Sequence, residues 1–275
     1  AKWMIDSGCT GVILLGSLGE AATLNPVEKK TILQTVREAL PAGVPVVAAI
    51  SGLSTAENVE LAKTAADAGC DGLMVLPPYV YRGDWREMRS HISAILKASS
   101  LPCMLYNNPV AYGTDFTPEQ IVELTHDHAN LQAVKESSTD VRRITAIRTL
   151  LNDRLSIFVG VDDLILEGIA AGAKGWVAGL VNAFPIESVR LFELGAAGEW
   201  QAAFELYRWF LPLLRLDTMP KFIQFIKLVE KRVGVGSERV RPPRLEISGQ
   251  ERKEILQLVD EALATRPVLE VSPTL

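Results

Sequence analysis

The sequence repeats one local pattern three times, and this pattern restricts the fold more than any other feature. In each copy a helix-like segment ends in glycine, two residues pass, a second glycine follows, and a short apolar run begins. The copies lie at residues 7–15, 68–76 and 171–178. A glycine just past a helix takes the left-handed conformation that ends it, and a short continuous apolar run is typical of a strand buried on both faces. Each copy therefore predicts a helix-to-strand junction.

Strands and helices alternate between and beyond these junctions. Four more apolar runs predict strands, at residues 44–50, 102–106, 131–135 and 155–160. Helix start signals, each a capping residue with Glu or Gln three positions on, occupy residues 25–28, 54–57 and 117–120. Because parallel strands need crossover helices, strands spaced by roughly 20–30 residues predict a parallel sheet, closed or open.

From this pattern we expect an α/β fold, with a (β/α)8 TIM barrel over residues 1–184 and a helical C-terminal extension over residues 185–275. No G-x-G-x-x-G motif follows the first predicted strand, which disfavours a doubly wound dinucleotide-binding sheet. The sequence opens inside a helical pattern at residues 1–6. We therefore expect that the first barrel strand is missing from this sequence, because an open barrel would expose two strand edges.

Composition and charge exclude several classes of protein. A chain of 275 residues, 48% of them hydrophobic, can bury a large core, and a formal net charge of -5 leaves no basic excess for nucleic acid. The longest apolar runs are far below the ~20 residues needed to cross a bilayer, and the N-terminus lacks the pattern of a signal peptide. Three widely spaced cysteines without a C-x-x-C motif fit a reducing compartment. We expect a cytoplasmic protein with neither nucleic acid nor membrane as a partner.

Catalytic side chains of a barrel lie where its strands end and run into the following loops. Three predicted strands end in polar residues, at positions 16–20 (GSLGE), 106–109 (YNNP) and 135–138 (KESS). Lys135 is the most informative of these residues. An amine held in an apolar site has a lowered pKa, which frees its lone pair to attack a ketone and form a Schiff base. The alternative is a lysine that reaches the rim or pairs with Glu136.

Tyr106 and the turn at residues 16–20 are weaker signals by themselves. The Tyr106 hydroxyl could serve the same cavity as a proton donor and acceptor, although a tyrosine at a strand end often only packs. The backbone N–H groups of the turn and the Ser17 hydroxyl suit a carboxylate. The alternative is a tight turn that needs glycine for its backbone geometry.

Taken together, these motifs resemble the dihydrodipicolinate synthase and N-acetylneuraminate lyase family, the Schiff-base aldolases of pyruvate and related 2-oxo acids. The resemblance covers nearly the whole chain. It also includes residues 22–24 (ATL), 77–79 (PPY), 162–163 (DD) and 241–243 (RPP).

The resemblance implies a role for each matching residue. Lys135 would be the Schiff-base lysine and Tyr106 the proton shuttle. Ser17, with the backbone of the turn, would bind the substrate carboxylate. The further substrate-binding positions are Leu18, Gly19, Asn108, Tyr112 and Val177, the last through a backbone carbonyl near the lysine. Neither a metal nor an organic cofactor is implied, and a homo-oligomer, dimer or tetramer, is expected.

The sequence departs from the synthase branch of this family at three positions. Leu18 replaces the second threonine of the turn, and Val80 replaces a tyrosine that serves a neighbouring subunit. Ala111 replaces an arginine that grips the carboxylate of aspartate semialdehyde. A bidentate, charge-assisted arginine–carboxylate pair contributes roughly 1.5–3 kcal/mol to binding. Its loss would weaken the binding of aspartate semialdehyde, so a role as the synthase of lysine biosynthesis is disfavoured.

We therefore expect a lyase that forms a Schiff base with pyruvate or a hydroxylated 2-oxo acid and then cleaves, dehydrates or deaminates it. Asn108 and Tyr112 beside Tyr106 indicate a polar substrate. Candidates are 4-hydroxy-2-oxoglutarate, 2-keto-3-deoxy sugar acids and a hydroxyproline-derived pyrroline carboxylate. A true 4-hydroxy-tetrahydrodipicolinate synthase is the alternative. A non-catalytic binding protein is disfavoured because Lys135 and Tyr106 are both present.

Two other kinds of enzyme fit less well. A metal-dependent aldolase needs several ligands around one cation, whereas the chain has three histidines, His91 within a predicted helix and His126 and His128 at a helix end. A phosphorylated sugar is disfavoured because Asp162 and Asp163 occupy the loop where a glycine-rich turn would cradle phosphate.

Overall fold

The predicted parallel sheet is present. The computed structural model describes residues 1–269, and within them seven parallel strands lie in sequential order, each beside the next strand of the chain. The strands are β1 (Val12–Leu14), β2 (Val46–Ile50), β3 (Gly72–Val75), β4 (Cys103–Asn107), β5 (Leu131–Glu136), β6 (Ser156–Val159) and β7 (Gly175–Trp176). All seven coincide with the predicted apolar runs to within two or three residues.

Helices alternate with the strands up to β7, and the described chain after β7 is helical. The helices of the strand-containing part are α1 (Lys2–Asp6), α2 (Pro26–Ala39), α3 (Thr55–Asp67), α4 (Trp85–Lys97), α5 (Pro109–Tyr112), α6 (Pro118–Asp127), α7 (Arg142–Leu151) and α8 (Ile165–Ala170). The helical C-terminal part contains α9 (Pro185–Ala196), α10 (Trp200–Leu214), α11 (Phe222–Arg232) and α12 (Gly249–Ala264). Short 3-10 turns occupy Ala21–Thr23, Asp162–Leu164, Leu180–Asn182 and Arg215–Thr218.

This architecture agrees with the predicted fold class at the level of a parallel α/β sheet, barrel-like in its strand order, with a helical C-terminal part. The eighth strand, expected before Ala1, lies outside this sequence and stays a prediction. A domain boundary after residue 184 also stays a prediction. Residues 270–275 of the predicted extension lie outside the described residues. None of the helices within residues 1–269 is both long and apolar enough to cross a membrane.

The three repeated junctions have the predicted backbone geometry. Gly8, Gly69 and Gly172 follow α1, α3 and α8, with φ values of +101°, +79° and +102°. A side chain at these positions would strain the left-handed backbone, which explains why glycine ends each helix.

The predicted helix starts are also confirmed. The side chain of Asn25 accepts a hydrogen bond from the Glu28 N–H at 2.9 Å, and the Glu28 carboxylate accepts one in return from the Asn25 N–H. Thr117 caps α6 with the same reciprocal pair, and Ser54 caps α3. Each such cap contributes about 1 kcal/mol to helix stability.

Strand register determines which side chains share the carboxyl-end rim of the sheet. Tyr106 of β4 is paired with Lys135 of β5, and Lys135 is paired on its other side with Phe158 of β6. Because all strands are parallel, the polar ends of β1, β4 and β5 meet at the same edge. The aliphatic core lies beneath them, with every residue of β3 buried.

A buried ion cluster links this rim to the helical C-terminal part. Glu20, at the end of the turn after β1, is 5% exposed. Its carboxylate accepts hydrogen bonds from Lys227 Nζ of α11 at 2.5 Å and from the Arg241 N–H at 2.8 Å. Burial opposes ionisation of Glu20, but the donors from Lys227 and Arg241 outweigh it, so that the pKa of Glu20 lies below its usual range.

We predict that Glu20→Gln lowers the free energy of unfolding by about 2 kcal/mol at neutral pH, because the amide loses one acceptor and the charge that Lys227 pairs with. In the wild type, this contribution is present above the pKa of a free glutamate and is lost as pH falls through the lower pKa of the folded state. Urea unfolding at several pH values measures both effects.

Glu60→Gln is the matched control for this prediction. Glu60 is paired with Lys63 at 2.7 Å, but both side chains are more than half exposed, so its loss should change stability by less than about 0.5 kcal/mol. Equal effects of the two substitutions would contradict the assigned role of Glu20.

Candidate active site

Lys135 lies at the carboxyl end of a central strand, and its side chain turns toward β4. Its Nζ is 4.1 Å from the centroid of the Tyr106 ring. The stem of the lysine passes over Gly160, where an added Cβ would be 2.5 Å from Lys135 Cε. Glycine at this position therefore leaves the space that the lysine side chain occupies.

Glu136 does not pair with Lys135, so the alternative of a Lys135–Glu136 ion pair is wrong. Successive residues of a strand point to opposite faces. The buried Glu136 carboxylate instead accepts hydrogen bonds from Asn107 Nδ2 at 3.0 Å and from the Ser138 N–H at 2.6 Å. Burial raises the pKa of Glu136.

Hydroxyl and amide groups form a connected cluster that begins at Tyr106, the neighbour of Lys135. The Tyr106 side chain is buried, and its hydroxyl accepts a hydrogen bond from Asn108 Nδ2 at 3.0 Å. The rings of Tyr106 and Tyr112 meet edge to face, with centroids 5.7 Å apart. The Tyr112 hydroxyl is hydrogen-bonded to Ser17 Oγ in the turn after β1. Burial raises the pKa of Tyr112, so this hydroxyl keeps its proton at neutral pH.

The structure thus brings together five of the eight residues singled out from the sequence: Ser17, Tyr106, Asn108, Tyr112 and Lys135. The other three lie at the same rim with fewer contacts of their own. Leu18 packs against the core, and Gly19 is exposed. The Val177 N–H donates to the Val159 carbonyl at 2.9 Å, which continues the β6–β7 pairing.

Two carboxyl groups near Lys135 were not assigned to the site from the sequence. Asp162, in the loop after β6, is fully buried and accepts hydrogen bonds from Trp176 Nε1 at 3.0 Å and the Leu180 N–H at 2.8 Å. Asp217, in the helical C-terminal part, lies against Gly179. The Asp-Asp motif was a signal for the first, whereas no local pattern marks Asp217, because only tertiary packing brings it to the rim.

A cation also lies near the loop after β4. An added Cβ on Gly113 would be 2.2 Å from Arg82 Cζ, so the Arg82 guanidinium rests directly beside the residue that follows Tyr112. No Lys or Arg lies within residues 106–116 to replace the arginine absent at Ala111. Arg82 comes from the loop after β3, and this proximity is set by the fold.

His91 and His128 are engaged in local hydrogen bonds. His91 contacts Thr55 Oγ1 at 2.8 Å through Nδ1 and Asn58 at 3.3 Å through Nε2, and His128 Nε2 contacts Ser93 Oγ at 2.8 Å. Among residues 1–269, no three His, Cys, Asp or Glu side chains converge as ligands for a metal ion.

The fold and the site define a class of protein, a parallel β/α protein in which a strand-end lysine lies against a tyrosine ring within a cluster of hydroxyl groups. The model of the dihydrodipicolinate synthetase family matches residues 1–262. The chain belongs to this family.

Individual relatives agree with this assignment. A 4-hydroxy-tetrahydrodipicolinate synthase of Methanococcus maripaludis is 30% identical over 246 residues, which cover 90% of this chain and 84% of the relative. A protein of the same name from Geobacter metallireducens is 28% identical over 264 residues, covering 94% and 89%.

Solved structures show the same fold. The 4-hydroxy-tetrahydrodipicolinate synthase of Methylacidiphilum fumariolicum SolV superposes with a TM-score of 0.90 at 28% identity, over 96% of this chain and 89% of that chain. An Escherichia coli K12 prophage protein of the dihydrodipicolinic acid synthase family, solved in complex with pyruvate, has a TM-score of 0.89 at 24% identity, over 95% and 90%.

Proposed function

We propose that the protein is a lyase that forms a Schiff base between Lys135 and pyruvate or a hydroxylated 2-oxo acid. The observation that carries this proposal is the position of Lys135 Nζ over the Tyr106 ring, with the Tyr106 hydroxyl oriented by Asn108. A nucleophilic amine and a group that exchanges protons are thereby held side by side, as covalent catalysis requires. A non-catalytic binding protein would not need this arrangement.

Each residue of the cluster has a role in the proposed reaction. The neutral amine of Lys135 attacks the ketone carbon, and water leaves to give the iminium. Tyr106 transfers the protons, donating to the departing oxygen and removing a proton from the adjacent carbon. The Ser17 hydroxyl and the backbone N–H groups of its turn donate hydrogen bonds to the substrate carboxylate. The Tyr112 hydroxyl, which is hydrogen-bonded to Ser17 Oγ, fixes the orientation of that serine.

The substrate proposed is a 2-oxo acid with a further polar group. Leu18 presents an apolar side chain in the turn, and Ala111 is exposed without a charge of its own. The polar groups of Asn108 and Tyr112 lie beside Tyr106 and suit a hydroxylated chain. The second candidate is 4-hydroxy-tetrahydrodipicolinate synthase, which is favoured by the names of the relatives at 28–30% identity.

A homodimer or homotetramer is also proposed. Val80 and Val110 are 79% and 73% exposed. Their segments are neighbours, since Arg82 lies against Gly113. An exposed valine in the loop after β3 and another in the neighbouring helix α5 favour burial against a second copy of the chain.

Lys135→Ala should abolish activity and the trapping of pyruvate by borohydride, because the nucleophile is lost. Lys135→Arg should fail in the same way, since a guanidinium stays protonated and cannot attack the ketone. Intact mass after reduction measures the adduct, and Lys174→Ala, a lysine paired with Asp153 on the surface, is the control. An adduct on another lysine in the Lys135→Ala protein would show that the site is assigned wrongly.

Tyr106→Phe should preserve Schiff-base formation while lowering kcat by roughly 10²–10⁴-fold, the usual range for a lost acid–base group. The ring that packs against Lys135 and Tyr112 is retained, so the fold should persist. Steady-state kinetics combined with borohydride trapping separates the two steps. If kcat stays unchanged, Tyr106 serves only packing.

Substrate preference distinguishes the two candidate functions. We expect kcat/KM for a hydroxylated 2-oxo acid or its cyclic imine to exceed that for pyruvate with aspartate semialdehyde by at least ~10-fold, or about 1.4 kcal/mol. Ala111→Arg should raise the rate with aspartate semialdehyde only slightly. Val80 would still replace the tyrosine that serves a neighbouring subunit in the synthase branch. Efficient condensation by the wild type, measured in an assay coupled to the downstream reductase, would favour the synthase.

A further inference from the structure

Asp217 is a carboxyl group that the helical C-terminal part places at the rim of the sheet. It belongs to the 3-10 turn Arg215–Thr218 between α10 and α11. Its side chain lies over Gly179, where an added Cβ would be 2.0 Å from Asp217 Oδ1. The glycine at 179 therefore leaves the room that the carboxyl group occupies.

The neighbours of Asp217 belong to the site. The N–H of Gly179, beneath Asp217, donates to Asp162 at 3.1 Å, so the two carboxyl groups share one residue as a contact. Lys135 is close enough to lower the pKa of both. The charge of Asp163 also raises the pKa of Asp217. The Asp163 carboxylate itself faces Arg215 at 3.7 Å.

The surroundings of Asp162 favour its ionised form, whereas those of Asp217 favour its protonated form. Asp162 accepts hydrogen bonds from Trp176, Gly179 and Leu180, which favour its ionised form although burial raises its pKa. Asp217 receives no comparable donor within residues 1–269, and burial together with the Asp162 carboxylate raises its pKa well above the usual range. Because two adjacent carboxylates resist simultaneous ionisation and the N–H donors lie on Asp162, these surroundings favour a proton on Asp217.

Asp217 and Tyr106 lie on opposite sides of the lysine. Tyr106 belongs to β4, on one side of β5, whereas Asp162 and Gly179 follow β6 and β7 on the other side. A 2-oxo acid joined to Lys135, with its carboxylate at the Ser17 turn, would extend its remaining carbons toward β6 and β7. Asp217 is then the acid that meets the far end of the substrate.

We propose that Asp217 is a second acid–base residue, which protonates a hydroxyl leaving from carbon 4 of the bound 2-oxo acid. This inference rests on the proposed Schiff-base function and assigns the reaction as dehydration. Tyr106 removes a proton from carbon 3, and the electron pair forms the enamine. The enamine then re-forms the iminium as the C4–O bond breaks, carbons 3 and 4 become doubly bonded, and the Asp217 proton completes a water molecule. Solvent reprotonates Asp217, and hydrolysis of the iminium frees Lys135.

Cleavage of the C3–C4 bond would require the opposite proton transfer at this position. A retro-aldol step removes a proton from the hydroxyl on carbon 4 and therefore needs a base there. The carboxyl group of Asp217, whose surroundings favour the protonated form, donates to the hydroxyl instead. The state of Asp217 thus favours loss of water over cleavage.

Asp217→Asn tests the proposal with two probes. With a 2-keto-3-deoxypentonate, the rate of water loss should fall roughly 10²–10⁴-fold, because the amide cannot supply the proton. Borohydride trapping of pyruvate should stay within about twofold of the wild type, since Schiff-base formation depends on the amine of Lys135 and not on Asp217. Asp260→Asn, which removes a surface acid paired with Arg232 in the same helical part, is the control and should leave both readouts unchanged.

A second variant keeps the carboxyl group of Asp217 but displaces it from its position over residue 179. Gly179→Ala introduces a Cβ into the place of Asp217 Oδ1, so it should reduce water loss selectively while trapping continues. The expected product of the wild type retains all five carbons, and mass spectrometry identifies it.

Several outcomes would overturn the inference. Unchanged dehydration in both variants would remove Asp217 from the reaction, and a parallel loss of trapping would place it in Schiff-base formation. Release of pyruvate as the main product, or no turnover of the probe by a wild type that still traps pyruvate, would also contradict it. A wild type that traps no 2-oxo acid would instead refute the Schiff-base function itself.

Discussion

The pairing of Tyr106 with Lys135 across β4 and β5 is the constraint on which the rest of the site depends. Parallel register places both residues at the carboxyl ends of adjacent strands, and the lysine amine comes to lie over the tyrosine ring. A shift of one residue in either strand would turn its side chain to the opposite face. The buried aliphatic residues below them, with every residue of β3 inaccessible to solvent, oppose such a shift. The core therefore fixes the geometry of the two residues proposed to react.

Small residues beside the lysine are as important as the polar ones. Gly160 leaves space for the stem of Lys135, and Gly179 leaves space for the carboxyl of Asp217. In both places a single Cβ would overlap a functional side chain. The absence of side chains at Gly160 and Gly179 thus leaves room at the rim for a lysine from the sheet and an acid from the helical part.

The helical C-terminal part holds the turn after β1 and carries the proposed acid Asp217. Lys227 and the Arg241 N–H hold the buried carboxylate of Glu20, which ends the turn that contains Ser17. Asp217 comes from the same part of the chain. Because Glu20 attaches the Ser17 turn to this part of the chain, the position of the turn depends on residues more than two hundred positions away.

The sequence by itself determined the order of the strands, the glycine-terminated junctions, the helix caps and the central residues of the site. These features are local: a left-handed glycine, a capping box or an apolar run is encoded within a few residues. Lys135 and Tyr106 were recognised because each ends an apolar run, and the family motifs then located Ser17, Asn108 and Tyr112. The tertiary structure decided what depends on distant segments. It placed Arg82 beside Gly113, separated Glu136 from Lys135, and brought Asp217 to Gly179, because the packing of loops and helices sets these distances and no local pattern encodes them.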